Sequence, residues 1–206
     1  MFTPRAFVET DLSRLDALIA ADPFVTLVTT AADGTPFATH LPVLYRRDGD
    51  AILVEGHWAK PNPQARHSGQ ALMIVHGPHA YVSANWYPDK EAAARVPTWN
   101  YAAAHLYGEL ERHDDEAGLA DLVSRLSDRF EASVGQSWRF EPERDDQRVQ
   151  LRGIIGFRFL PARVEMKFKF NQNHPLANRE AVIDALEQLD GAGARATAEM
   201  MRNIAL

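Results

Sequence analysis

Apolar residues in this chain recur with two different periods, and the switches between those periods predict its elements. Leu12, Leu15, Leu18 and Ile19 repeat at helical spacing behind Thr10 and Asp11, which can cap a short helix that Pro23 ends. Phe24 to Ala31 is rich in Val and Thr, Asp33-Gly34 supplies a turn, and Phe37, Leu41, Val43 and Tyr45 then share one face of a strand from Thr35 to Tyr45. Arg46 to Asp50 is a polar turn before a strand from Ala51 to Glu55, so the opening region reads as an antiparallel meander. Two strands, Ala71 to His76 and Ala80 to Ala84, are expected around Gly77-Pro78, and a longer one from Trp99 to Leu110. Strands at this spacing favour a closed or partly closed barrel of roughly six or seven antiparallel strands, since closure removes exposed edges.

The second half changes period. Leu119, Leu122, Val123, Leu126 and Phe130 behind Asp114 predict an amphipathic helix, and Glu141 to Gln147 reads as a polar loop. Val164, Met166, Phe168 and Phe170 alternate with Arg163, Glu165, Lys167 and Lys169, predicting a half-buried strand whose basic side chains share a face. Asn178 can cap a helix carrying Val182, Ile183, Leu186 and Leu189, and Gly191 to Gly193 separates it from a helix ending in Met200, Met201 and Ile204. The class is therefore mainly β with α (α+β): one domain over 1–206 with peripheral helices and a helical C-terminal appendage over 174–206.

Composition narrows the function classes. At 46% hydrophobic, the 206 residues can bury one substantial core. The absence of cysteine excludes disulfides, cysteine-ligated metals and thiol catalysis, and suits a reducing compartment. With no signal-like N-terminus and no membrane-length apolar run, a soluble cytoplasmic protein is expected. A net charge of -6 argues against a broad phosphate-neutralising surface. Glu109 to Arg148 holds twelve acids against six bases, whereas Phe157 to Leu206 holds seven bases against six acids, so only the second stretch is a candidate to approach DNA.

The candidate chemistry is concentrated between Gly56 and His67. Asn62 suits a helix N-cap and Pro63 the first helical position, so free backbone N–H groups could face an anion there, with Lys60 and Arg66 supplying charge. The same residues would also make an ordinary capped connection with solvated cations. His57, Trp58 and Ala59 lead into this segment, and Thr39-His40-Leu41-Pro42 lies in the preceding strand, where Pro42 implies a bulge or an edge. A second cluster, Tyr81 to Pro88 followed by Val96-Pro97-Thr98-Trp99-Asn100-Tyr101, offers aromatic walls and fixed polar groups of the kind a flavin ring needs, although such aromatics are as readily core. No Gly-x-Gly-x-x-Gly, Walker loop, serine elbow or helix-turn-helix stands out. His76 and His79, with His67 or His105, lack a carboxylate at ligand spacing, so no metal is assigned. No residue is assigned a catalytic role.

Taken in order, Thr39 to Pro42, Gly56 to Pro63, Tyr81-Val82-Ser83 with Trp86-Tyr87, Val96 to Tyr101, and Lys167-Phe168-Lys169-Phe170-Asn171-Gln172-Asn173 resemble the PaiB family, whose members are described as FMN-binding negative transcriptional regulators. The likeness runs nearly end to end; Ala84 departs from the proline of many relatives. The resemblance implies an FMN-binding split β-barrel, a homodimer with flavin at or near the subunit interface, and repression of transcription. The FMN site it suggests comprises Thr39, His40, Leu41, Pro42, His57, Ala59, Lys60, Asn62, Arg66, Thr98, Trp99 and Asn100, with the phosphate near Lys60, Asn62 and Arg66 and the ring near His40, Leu41, His57 and Trp99-Asn100. The alternatives are an FMN-dependent oxidoreductase of the split-barrel superfamily and a binding protein without flavin; the flavin itself would carry the electrons, so the lack of an obligatory acid or base does not separate them.

Overall fold

A computed structural model describes residues 1–204. Its strands are β1 (Val8–Glu9), β2 (Phe24–Thr30), β3 (Pro36–Pro42), β4 (Leu44–Asp48), β5 (Ala51–Ala59), β6 (Gly69–Val82), β7 (Thr98–His113) and β8 (Ile154–Lys169). Its helices are α1 (Leu12–Ala21), α2 (Glu116–Ser133), α3 (Asp145–Arg148), α4 (Leu176–Glu187) and α5 (Ala192–Asn203). The sheet has eight strands, more than the periodicity suggested, in the order β3-β2-β6-β7-β8-β5-β4 with β1 added to β8, and its ladder does not close. The fold class is that of the sequence reading, antiparallel β with helices around it. Among the described residues no helix is long and apolar enough to cross a membrane.

The chain divides into two compact units. One comprises Leu12–Val75 and His105–Val164, the other Met1–Asp11, His76–Ala104 and Glu165–Leu206. In the first, Leu15, Leu18 and Ile19 of α1 are buried, as are Val25 and Leu27 of β2, Val54 and Trp58 of β5, and Phe157 and Phe159 of β8. Trp58 and Phe157 pack with ring centroids 4.7 Å apart. The Phe157 ring needs Gly56, because a Cβ there would lie 2.6 Å from that ring and 3.2 Å from the Pro42 carbonyl oxygen. In the second unit Phe168 and Phe170 are buried, as are Val182 and Leu186 of α4 and Met201 of α5.

Several boundaries differ from the sequence reading, each for a local reason. The expected strand from Thr35 to Tyr45 is two: Val43 is fully buried between β3 and β4 and its N–H donates to the Pro23 carbonyl at 3.1 Å. Gly77-Pro78 does not interrupt the chain into two strands. Instead β6 runs through it and changes phase, with Ala71, Met73 and Val75 buried before it and Ala80 and Val82 after, so one irregular residue pair replaces a turn. The N–H groups of Thr10 and Asp11 both donate to Glu9 Oε1 (2.8 and 2.9 Å) ahead of α1. Asp115 caps α2 by accepting from the Gly118 N–H at 2.7 Å. Asn178 lies inside α4, buried, and donates to Asp89 at 2.7 Å. Of the polar stretch expected to be a loop, Glu141 to Arg144 is irregular, while Asp145 to Gln147 enters α3, which a 3-10 segment, Val149–Gly153, follows.

The strand over 163–169 shows the largest difference in surface chemistry. Lys167 is only 8% exposed and donates to the Phe2 carbonyl at 3.2 Å, while Lys169 donates to Thr98 Oγ1 and, at 3.0 Å, to the Trp99 carbonyl. Arg163 lies 3.8 Å from the centroid of the Tyr107 ring. Alternation exposes one face of a strand only where nothing covers it, and here each of these cations has an intramolecular contact.

Candidate functional site

β5 alternates strictly: Ile52, Val54, Gly56 and Trp58 are buried, while Leu53, Glu55 and His57 are partly covered on the other face. α2 covers that second face. Glu55, whose side chain is only 12% exposed, accepts from Arg125 of α2 at 2.8 and 3.2 Å, a two-point contact that sets the helix over the strand. Beneath the helix lies a cavity of about 290 Å³ walled by His57, Val123, Trp138, Phe140, Leu151 and Ile154, with Asp146, Gln147 and Gln150 as its other polar lining. Burial holds the His57 pKa below the ordinary histidine range, so the ring is neutral at pH 7, and its buried Nδ1 has no hydrogen-bond partner. A second cavity, lined by Lys60, Asp114, Glu116, Leu119 and Arg152, shares Leu151 and Ile154 with the first.

The turn after β5 is built as its sequence suggested, but it is a single 3-10 segment, Pro63–Arg66. Asn62 caps it, accepting from the Gln64 N–H at 2.9 Å, and its Nδ2 donates to Thr39 Oγ1 at 3.1 Å. Gln64 has no exposed surface; it accepts from Trp58 Nε1 at 3.0 Å and its Nε2 faces the Leu27 carbonyl (3.0 Å), Thr29 Oγ1 (3.0 Å) and the Phe37 carbonyl (3.1 Å). The backbone donors of the connection are engaged as well. The N–H groups of Lys60, Asn62 and Ala65 donate to the carbonyls of Gly153 (2.7 Å), Ala59 (2.9 Å) and Asn62 (3.0 Å), and Pro61 and Pro63 have none. Attraction for an anion here therefore rests on side chains, not on a row of free amides.

The suggested site residues separate into distinct places. Thr39 and Asn62 touch. His40 is exposed with its Nδ1 2.9 Å from Thr26 Oγ1, leaving Nε2 as the free nitrogen, while Leu41 is core and Pro42 ends β3. Ala59 closes β5 opposite Ile154, and Lys60 follows it. Arg66 is exposed at the far end of the turn, where Arg112 of β7 donates to the Ala65 carbonyl at 3.4 Å. Thr98, Trp99 and Asn100 belong to the other unit. There Thr98 and the Trp99 carbonyl hold Lys169, and Asn100 is fully buried with its Nδ2 3.3 Å from Met201 Sδ. Trp138, Phe140 and Arg152 were missed by the sequence reading, because they flank the polar stretch read as a loop and follow no helix or strand period.

The family model described as "Putative FMN-binding domain" matches residues 1–162. The chain belongs to this family. It is also 30% identical, over 98% of its length and 97% of the relative's, to the Bacillus subtilis protein named protease synthase and sporulation protein PAI 2. An uncharacterized protein of Emericella nidulans is 27% identical over 98% of this chain and 96% of its own. Among solved structures, the FAD and heme binding protein of Mycobacterium smegmatis aligns with a TM-score of 0.54 at 18% identity, covering 79% of this chain and 73% of that one. The flavocytochrome of Azotobacter vinelandii aligns with a TM-score of 0.53 at 16% identity, covering 79% and 69%. These structures share the split-barrel fold, and FMN is the cofactor by which the family is described.

Proposed function

We propose that His57 and Lys60 mark the two ends of the FMN site: the flavin ring against the apolar cavity under α2, and the phosphate at the cationic end of β5. The carrying observation is that these residues, three apart at a strand end, line two cavities with a common wall of Leu151 and Ile154. Three strand residues span about 10 Å, a distance a ribityl chain can bridge. The residues present suit the cofactor. A flavin supplies apolar faces for Trp138 and Phe140 and a pyrimidine edge that both donates and accepts, which answers the unpartnered neutral imidazole. Lys60 and Arg152 bring two positive charges to this cavity, Asp114 and Glu116 offset them, and Arg66, beyond the turn, supplies the excess. Bound FMN would supply electron transfer; the chain's own residues bind it, orient it and exclude water. Titration of the purified protein followed by flavin fluorescence tests this reading, with FMN expected to bind and riboflavin, which lacks the phosphate, to bind much more weakly. Equal affinity for both would overturn the placement.

The role proposed for the bound protein is negative regulation of transcription in the cytoplasm, as a homodimer. Support comes from the family resemblance, from the name of the Bacillus subtilis relative, which refers to protease synthesis and sporulation, and from half-covered apolar side chains such as Val28, Leu72 and Ile74 on the outward face of β2 and β6. Direct DNA contact through Lys167 and Lys169 is not part of the proposal, because those cations are engaged within the protein. A monomer by sedimentation at about micromolar concentration would remove the dimer.

A further inference from the structure

The motif Lys167 to Asn173 has no part in the flavin site proposed above, yet it lines a third cavity, wholly within the other unit. This cavity, about 350 Å³, is walled by Phe7, Tyr87, the 93–98 segment, Lys169, Asn171, Asn173 and His174. Four observations at this place point to a ligand. First, Ala94 (φ 46°) and Asn171 (φ 61°) are the non-glycine residues in the left-handed region among the described residues, and both line it. Left-handed backbone is unfavourable for alanine, and strain of this kind gathers where geometry serves a ligand. Second, His174 is stacked on Tyr87 (centroids 4.9 Å apart, planes 20° from parallel), and its buried Nδ1 has no partner. Third, no carboxylate lines the cavity although two cations do. Fourth, those cations are unequal: Arg95 is held two-pronged by Asp89, at 3.0 and 2.5 Å, whereas Lys169 bonds only to neutral oxygens.

The net charge offered to a ligand is therefore that of one ammonium. One ammonium matches the single charge of a carboxylate, and Phe7, Val96, Pro97 and Tyr87 supply apolar contact for an attached body. We infer that this cavity is a binding site for a small aromatic monocarboxylate, its carboxylate on Lys169 and its ring among Phe7, Val96 and Tyr87. Burial, and secondarily the neighbouring Lys167, press the Lys169 pKa downward, which an anion at this place would reverse. Such a site gives a flavin-binding regulator a second input, independent of its cofactor.

Isothermal titration of the FMN-loaded full chain with benzoate tests this, with benzamide as the neutral isostere and inorganic phosphate as the competing oxyanion. Saturable benzoate binding is expected, at least tenfold stronger than that of either control. It should be lost in Lys169→Met. Lys169 also braces Thr98 and Trp99, so Val96→Trp, which fills the exposed mouth and leaves those bonds intact, should abolish it too. Lack of benzoate binding at about 10 mM (a free energy near −2.7 kcal/mol), or full binding by the Val96→Trp protein, would overturn the proposal. Benzamide binding as well as benzoate would show that charge is irrelevant, and phosphate binding as tightly would make this a general oxyanion site; each rejects the monocarboxylate. Competition between benzoate and FMN in the flavin-free protein would assign the cavity to the flavin and likewise reject it. Because the flavin placement is read separately by FMN against riboflavin, either can fail without the other.

Discussion

Replacing Gln64 with leucine tests whether the turn that carries the candidate phosphate residues is held by polar contacts rather than by apolar burial. The two side chains are close in volume, so little cavity forms. What changes is hydrogen bonding. Trp58 Nε1 loses its acceptor at a ring that is 2% exposed, and a buried orphan donor costs about 1–3 kcal/mol. The Leu27 and Phe37 carbonyls belong to the β2–β3 ladder, and Thr29 Oγ1 also pairs with His67 Nδ1 at 2.7 Å, so these acceptors lose one interaction each without becoming wholly unpaired. They add about 1 kcal/mol together, since a net hydrogen bond contributes about 0.5–1.5 kcal/mol and Nε2 has only two hydrogens for three oxygens. The expected loss is about 2–4 kcal/mol, or roughly 4–16 °C in Tm at this chain length. Chemical denaturation followed by tryptophan fluorescence would measure it. Gln64→Glu separates this account from simple misfit: the carboxylate can accept from Trp58 but cannot donate to the three oxygens. Desolvation and those facing oxygens raise its folded-state pKa above the unfolded one, so the Gln64→Glu protein should regain stability as the pH falls and lose it as the pH rises through the folded pKa. A loss below about 1 kcal/mol in Gln64→Leu, or no pH dependence specific to Gln64→Glu, would refute the reasoning.

Lys60→Ala should weaken FMN by about tenfold to a hundredfold, the equivalent of about 1.5–3 kcal/mol for one charge-assisted contact, and leave riboflavin unchanged; Arg195→Ala, on exposed α5, is the control and should change neither in the same fluorescence titration. Gly108→Ala places a Cβ 2.0 Å from the Leu160 carbonyl oxygen and 2.6 Å from Pro161 Cα, both backbone, so the variant should fail to accumulate as folded protein by circular dichroism and sedimentation. Hydrogen bonds from Arg95, and then from Asn178, hold the Asp89 pKa down at about 2. A depressed carboxylate stabilises above its unfolded pKa and loses that contribution as the pH falls through the folded one, so the stability gap between the native protein and Asp89→Asn should close between the ordinary aspartate range and about pH 2, as read by denaturation at stepped pH.

Periodicity recovered the elements whose burial has one cause. α1 and α2 each bury a single face, so their apolar positions show the period directly. It failed where a second layer covers what looked like the solvent side. Lys167 and Lys169 have the spacing of an exposed face, but the chain start lies over the first and the Thr98-Trp99 backbone over the second. Gly77-Pro78 has the composition of a turn and lies within a strand, because a long antiparallel strand can absorb an irregular pair by changing phase.

The candidate flavin site divides along the same line. Asn62, Pro63 and Lys60 are local features, and their capping geometry could be expected from adjacent residues. The wall of the His57 cavity is not local: Trp138, Phe140 and Leu151 arrive from a segment beyond α2 that is mostly polar and exposed. No periodic signal marks them, because three apolar anchors in an irregular segment have no period. The same distinction explains why the local reading favoured backbone amides for an anion, whereas with those amides engaged the proposed anion contacts are side-chain cations such as Lys60, Arg66 and Arg152. A cap motif shows that a turn will form, but whether its N–H groups stay free depends on distant carbonyls such as Gly153, which the motif does not encode. The Lys60→Ala titration is therefore the more telling of the flavin tests: with the amides engaged, removal of a side-chain charge has no backbone donor to compensate for it.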